Sequence, residues 1–244
     1  MSTLVRSALR VPRSAFERAF TRAELLVILA VLTLLALIAL PALANNRPRS
    51  ARIICANNLR QIGMAMQLWG NDHGDRPPYE VELAEGGTRR HPLAANTWFH
   101  FAWLSNELAS PQLLLCPTDS GKPAHDFTGN PSSGYLHPNF ANRATSYFLT
   151  YRIFASSLRV QAGDRNVRFN AGTAGCSVFN AAWAISGPYA GSDYGWTNGL
   201  HERAGNYLAF DGSVEQASNQ GFRDVINQGS LGGDNTSLHF SVPR

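Results

Sequence analysis

Ala19-Phe20-Thr21-Arg22-Ala23-Glu24 runs directly into Leu25–Leu40, sixteen residues whose only polar member is Thr33. Adding Pro41-Ala42-Leu43-Ala44 extends the low-polarity stretch to twenty residues. About twenty helical residues at 1.5 Å rise each match a bilayer core of about 30 Å, so residues 20–44 are expected to form a transmembrane helix. Glu24 at the mouth of such a helix needs a reason, because a carboxylate is unfavourable there and usually marks a task. The competing reading is a secretory signal peptide with Ala42-Leu43-Ala44 as its cleavage site, but the apolar core of a signal peptide is only about 7–15 residues.

Charge does not orient the segment. Arg6, Arg10, Arg13, Arg18 and Arg22 precede the apolar run, and Arg47, Arg49, Arg52 and Arg60 follow soon after it. The formal net charge of +4 is misleading, since residues 1–19 hold four Arg and one Glu and leave seventeen basic and sixteen acidic groups in the remainder. Near-neutrality removes the electrostatic case for a nucleic-acid partner. A length of 244 residues with one N-terminal span leaves about 200 for a single globular domain.

Beyond the apolar run, Cys55, Leu59, Ile62, Met66 and Trp69 recur at intervals of three and four, the stripe of an amphipathic helix. Arg52, Asn57, Arg60 and Gln67 fall off that stripe and are expected to face solvent or another subunit, and Gly70, Gly74 and Pro77-Pro78 end the pattern. A helix from Thr21 to Trp69, bent at Pro41 and Pro48, would measure about 73 Å. Thr145 to Ala155 reads as a strand with Tyr147, Leu149, Tyr151 and Ile153 on one face. Ser120–Asn142 and Gly187–Gly199, dense in Gly, Pro, Ser and Asn, read as long loops. Asn206–Phe210, the two-residue turn Asp211-Gly212 and Ser213–Ala217 read as a hairpin that sets Phe210 opposite Ser213 and Ala209 opposite Val214. The resulting fold class is α+β: a long N-terminal helix packed on a small antiparallel sheet with long loops. Trp98, Trp103, Trp183 and Trp196 are expected to pack in the core rather than to stack on sugars.

The segment from Ala19 to Leu26 resembles the prepilin-type processing site of type IV pilins and type II secretion pseudopilins. That resemblance implies a cut between Ala19 and Phe20 by a prepilin peptidase and methyltransferase, methylation of Phe20, and Glu24 as the fifth residue of the mature chain. Ala19 stands where the family usually has Gly, and Arg22 and Ala23 stand where bulkier apolar residues are usual. In this reading Glu24 pairs with the amino terminus of a neighbouring Phe20 and sets the register of a filament. Cys55-Ala56-Asn57-Asn58-Leu59-Arg60-Gln61-Ile62-Gly63, Asp72-His73-Gly74-Asp75, Cys116-Pro117-Thr118-Asp119 and His201 with Asp211-Gly212 after nine intervening residues are similar to a pilin-like group of planctomycetes and verrucomicrobia.

The resemblance implies residues 1–19 as leader, 20–44 as membrane segment, 45–76 as amphipathic continuation and 77–244 as an exported β-rich domain. It also implies a single-pass inner-membrane protein with its C-terminal domain in the periplasm or at the cell surface. The expected role is a non-enzymatic pseudopilin of a type II secretion-like system, with other pilin-like subunits as partners. The alternative is a surface binding module for carbohydrate or protein on an uncleaved anchor.

Cys55, Cys116 and Cys176 lack CxxC spacing, so a metal cluster is not expected from sequence. One bridge and one free thiol is the natural arrangement. The pairing stays open between Cys116 with Cys176, favoured because Cys55 falls in a helical pattern, and three separately buried thiols. His201 and Asp211 invite acid–base chemistry, but a turn Asp and a lone upstream His have ordinary hydrogen-bonding uses. No cofactor is expected; Asp193, Asp211 and Asp234 are the candidates for a calcium site in oxygen-rich loops.

Overall fold

The computed structural model describes residues 21–44, 47–151, 159–169, 172–173, 183–185, 194–230 and 238–243. The chain divides into two compact units, Met1–Arg47 and Pro48–Arg244. Together they hold helices and an antiparallel sheet, an α+β protein.

Helix α1 spans Arg22–Ala44. Its start is a capping box. The Thr21 backbone N–H and hydroxyl both donate to Glu24 Oε2 at 2.8 Å, and the Glu24 N–H returns to Thr21 Oγ1 at 3.3 Å. From Leu25 to Ile38 every side chain is exposed. Beyond α1, the described part of the expected rod is helix α2 over Arg47–Asn71.

Among the described residues no helix is long and apolar enough to cross a membrane. The expected transmembrane segment is corrected, and with it the single-pass inner-membrane localisation and the membrane-held secretion pseudopilin. Arg22 and Glu24 occupy the first turn of α1, where charged groups resist burial in a bilayer.

In the second unit the stripe read from sequence is the buried face of α2. Cys55, Leu59 and Ile62 are fully buried, Met66 and Trp69 nearly so, while Asn57, Arg60 and Gln67 are exposed. Arg52 departs from expectation: it is half-buried. Gly63 lets α2 close on the sheet, because a Cβ there would lie 2.8 Å from Leu208 Cδ1.

After the short helix α3 (Thr97–Ala102) come strands β1 (Tyr147–Tyr151), β2 (Val160–Asp164), β3 (Val167–Phe169), β4 (Gly172–Thr173), β5 (Trp183–Ile185), β6 (Tyr194–Trp196), β7 (Ala204–Ala209) and β8 (Val214–Ser218). Helix α4 (Asn219–Ser230) and β9 (Leu238–Ser241) follow. The main sheet has the order β4-β5-β9-β1-β2-β7-β8, and β3 pairs with β6 apart from it. Period-two alternation along β1 and β7 gives the sheet two buried faces, and a register shift in β2 turns Val160 and Ala162 to opposite ones. Tyr147, Leu149, Tyr151, Ala162 and Leu208 pack with the α2 stripe, whereas Phe148, Val160, Tyr207 and Ala209 pack with Trp196, Phe222 and Ile226. Trp196 is thus a core residue, and Trp103 donates from its indole N–H to the Gly86 carbonyl at 2.7 Å. The side chain of Trp183 lies outside the described residues.

The hairpin forms between β7 and β8 with a register one residue from that expected. Leu208 faces Val214, and the Ala209 N–H reaches the Ser213 carbonyl at 2.8 Å. The loop is therefore Phe210-Asp211-Gly212, with Gly212 at φ 83°, the arrangement of a three-residue turn closed by a left-handed residue. Asp211-Gly212 is only the end of the turn, not the whole of it.

Candidate functional site

Ser146, Tyr147, Asp164 and Asn206 lie at one end of the sheet, where β1 starts, β2 ends and β7 starts. Three of the four segments noted in sequence reach this point through Cys55, Cys116 and His201. Cys55 comes from α2. Cys116 is pinned to β1 by a hydrogen bond from its N–H to Ser146 Oγ at 2.9 Å, and Ser146 N–H donates to the Leu114 carbonyl at 2.8 Å. The two cysteines are bonded as a disulfide across a sequence separation of 61. The expected preference for Cys116 with Cys176 is corrected: membership of a helix does not keep Cys55 from bridging, because its position on the buried stripe turns it inward. Cys176 lies outside the described residues.

His201 reaches the same point from the turn before β7. The next two residues, Glu202 and Arg203, both adopt left-handed backbone conformations (φ 51° and 61°), which non-glycine residues rarely do and which cluster at functional positions. His201 Nε2 lies 3.5 Å from Cys116 Sγ and 3.4 Å from Asp164 Oδ2. Asp164 is fully buried and accepts on Oδ2 from the Asn206 backbone N–H at 2.7 Å and side-chain N–H at 2.9 Å. Its other oxygen, Oδ1, has no hydrogen-bond partner among the described residues.

Burial disfavours the charged form of each group. It pushes the Asp164 carboxyl up to about 7 against the pull of the Asn206 hydrogen bonds and Arg52, and it pushes His201 down to about 4 with help from the Arg52 cation. Burial thus works against a charged form of either partner. The remainder of Cys116-Pro117-Thr118-Asp119 supports the bridge: Thr118 Oγ1 lies 3.2 Å from Cys116 Sγ, and Asp119 accepts from Ser146 Oγ at 2.6 Å while pairing with Arg165. A surface cavity of about 280 Å³, lined by Thr118, Asp119, Arg165, Thr197 and Leu200 among others, opens beside it.

A second histidine is buried elsewhere. His100 Nδ1 lies 2.7 Å from Thr88 Oγ1, and its Nε2 lies 2.9 Å from both the Ala94 carbonyl and the Tyr151 hydroxyl. Burial lowers it to about 4 as well.

His201 and Asp211 are not brought together. No contact among the described residues joins them, and Asp211 sits in the exposed turn, where the Ser213 hydroxyl and N–H hold Oδ1 at 2.6 and 2.9 Å and keep its carboxyl below the usual range. Of the calcium candidates, Asp193 and Asp234 lie outside the described residues, as do the processing residues Ala19 and Phe20. Glu24 is the acidic half of a cap, a role readable in Thr21-Arg22-Ala23-Glu24 as a T-x-x-E box. Sequence reading missed Asp164 and Asn206, since nothing in Val160-Gln161-Ala162-Gly163-Asp164 distinguishes a buried carboxylate from a strand-end turn residue. Compared with known proteins, the chain matches no family model, no curated protein and no solved structure.

Proposed function

We propose that this chain is a structural subunit of the pilin-like type, without catalysis of its own, that joins further copies of itself or similar subunits through α1. The supporting observation is the surface of α1: Leu25, Leu29, Leu32, Leu35 and Ile38 are 49–66% exposed, and so are the apolar residues on its other faces. A helix that is apolar all round belongs in an interior, and helices of neighbouring copies would supply one. The capping box fixes the start of α1 at Arg22 and holds the Glu24 carboxylate at the helix entrance, where the free amino group of an adjoining chain cut after Ala19 would reach it.

Mass spectrometry of the chain isolated from its cells, with electron microscopy of assemblies, tests this reading. The expected N-terminus is Phe20. Glu24→Ala should leave the Pro48–Arg244 unit folded and reduce incorporation into assemblies by an order of magnitude or more. A chain beginning after Ala44, or normal assembly of Glu24→Ala, would overturn the proposal.

A further inference from the structure

Three short motifs from distant parts of the sequence converge on one buried point, and filament assembly gives that convergence no task. The Sγ atoms of Cys55 and Cys116 and a ring nitrogen of His201 lie within 4.8 Å of one another. Soft thiolates with imidazole are the donor set that suits zinc. We propose that, once the Cys55–Cys116 bridge is reduced, Cys55, Cys116, His201 and Asp164 hold a tetrahedral zinc ion, so that the same four side chains close this end of the sheet in either of two chemical forms.

Two edges of the tetrahedron are already in place. Bond lengths of about 2.3 Å to sulfur and about 2.0 Å to nitrogen and oxygen put ligand atoms about 3.6 Å apart along an S···N edge and about 3.3 Å apart along an N···O edge. Cys116 Sγ to His201 Nε2 is 3.5 Å, and His201 Nε2 to Asp164 Oδ2 is 3.4 Å. Two movements complete the site: the sulfurs part to about 3.8 Å once their bond is broken, and the Asp164 carboxylate, which lies outside the group of ligand atoms within 4.8 Å of one another, closes on them.

The surroundings match those of ligand atoms. Asn206 orients the Asp164 carboxylate with two N–H groups, and Thr118 lies within hydrogen-bonding reach of Cys116 Sγ. Two thiolates, one carboxylate and a divalent cation sum to a single negative charge, and the Arg52 guanidinium, whose field acts on both Asp164 and His201, offsets it. A neutral His201 with its proton on Nδ1 presents Nε2 as the donor.

The step balances. A dithiol or phosphine reductant delivers two electrons to the disulfide, the S–S bond breaks, and each sulfur takes a proton while the reductant is oxidised. Zinc then displaces the two thiol protons and the carboxyl proton of Asp164, all of which leave to solvent. Both cysteines are fully buried, so the reductant reaches the bridge through local opening of the surrounding packing.

The test uses the full chain, reduced with a phosphine, freed of reductant by gel filtration and loaded with zinc or with cobalt(II) as a spectroscopic probe. The expected result is about one zinc per reduced chain and none per oxidised chain, with a thiolate-to-cobalt charge-transfer band in the reduced form only. His201→Gln should weaken zinc at least tenfold while keeping the disulfide in its oxidised form, and Cys176→Ser should bind as the unmodified chain does. Should the reduced chain unfold, zinc is expected to restore its circular dichroism. A reduced chain that takes up no zinc and is not refolded by it, or a His201→Gln chain that binds as tightly as the original, would overturn the site. These outcomes are independent of α1 assembly, which Glu24→Ala tests separately.

Discussion

His100 and His201 are both buried and both held near pKa 4, yet they sit in different chemistry. Around His100 the partners are a threonine hydroxyl, a tyrosine hydroxyl and a backbone carbonyl, none of which changes its bonding under ordinary conditions. Around His201 the partners are a disulfide sulfur and a carboxyl whose second oxygen is unpaired among the described residues. Both are buried, so burial by itself does not separate a structural histidine from a functional one. The ability of the neighbours to change oxidation or protonation state does.

Breaking the covalent side of that comparison should give the largest effect. Reducing the Cys55–Cys116 bridge, which closes a span of 61 residues, is expected to lower the stability of the metal-free chain by about 4 kcal/mol. Urea denaturation with and without a phosphine reductant measures it. The His100 region should respond to volume and hydrogen bonding alone. His100→Ala strands the Thr88 and Tyr151 hydroxyls in a cavity and should cost about 3 kcal/mol, the same in reduced and oxidised protein.

Proton linkage sharpens the contrast further. Asp164 has a folded pKa of about 7 against a reference of 3.8, so the folded chain keeps a proton that the unfolded chain releases, and this site loses stability as pH rises from about 4 to 7. His201 has a folded pKa of about 4 against 6.5, so it loses stability as pH falls from about 6.5 to 4. Between pH 4 and 6.5 the two slopes oppose each other: folding passes a proton from the ring to the carboxyl without changing the total bound. Relative to the original chain, oxidised and metal-free, Asp164→Asn should steepen the rise of stability with pH by up to roughly 1 kcal/mol per pH unit. His201→Gln should tilt the curve the other way by a similar amount. Urea midpoints from pH 4 to 7 decide it, and parallel curves for all three chains would remove the coupling. Gly212→Ala, at the other end of the H-x9-DG motif, should show the smallest effect. Its left-handed backbone predicts a loss of about 1 kcal/mol with no change in pH slope or zinc uptake.

The legible parts of this molecule were those governed by local period. Cys55, Leu59, Ile62, Met66 and Trp69 could be placed on one buried face from spacing alone, and Tyr147, Leu149 and Tyr151 on one face of a strand. The membrane span was overread because counting apolar residues gives no weight to Arg22 and Glu24 at the end of the run, although Thr21 to Glu24 spells out a cap. The cysteine pairing and the buried Asp164 depend on which sheet end the chain returns to 61 and more residues later, and no local pattern carries that information. In sequence His201 stands out by its spacing to Asp211, whereas its neighbours in the fold are Cys116 and Asp164, contributed by other elements.

The bridge also decides how the second unit bears tension. A pull entering α2 from its N-terminal side meets a covalent cross-link at Cys55, and for an anchor beyond Cys116 the strain crosses to that residue directly. The chain between them, including the last four turns of α2 and all of α3, lies in a mechanical bypass and carries no load while the sulfurs stay joined. Cutting the link would release that slack and lengthen the molecule under the same pull.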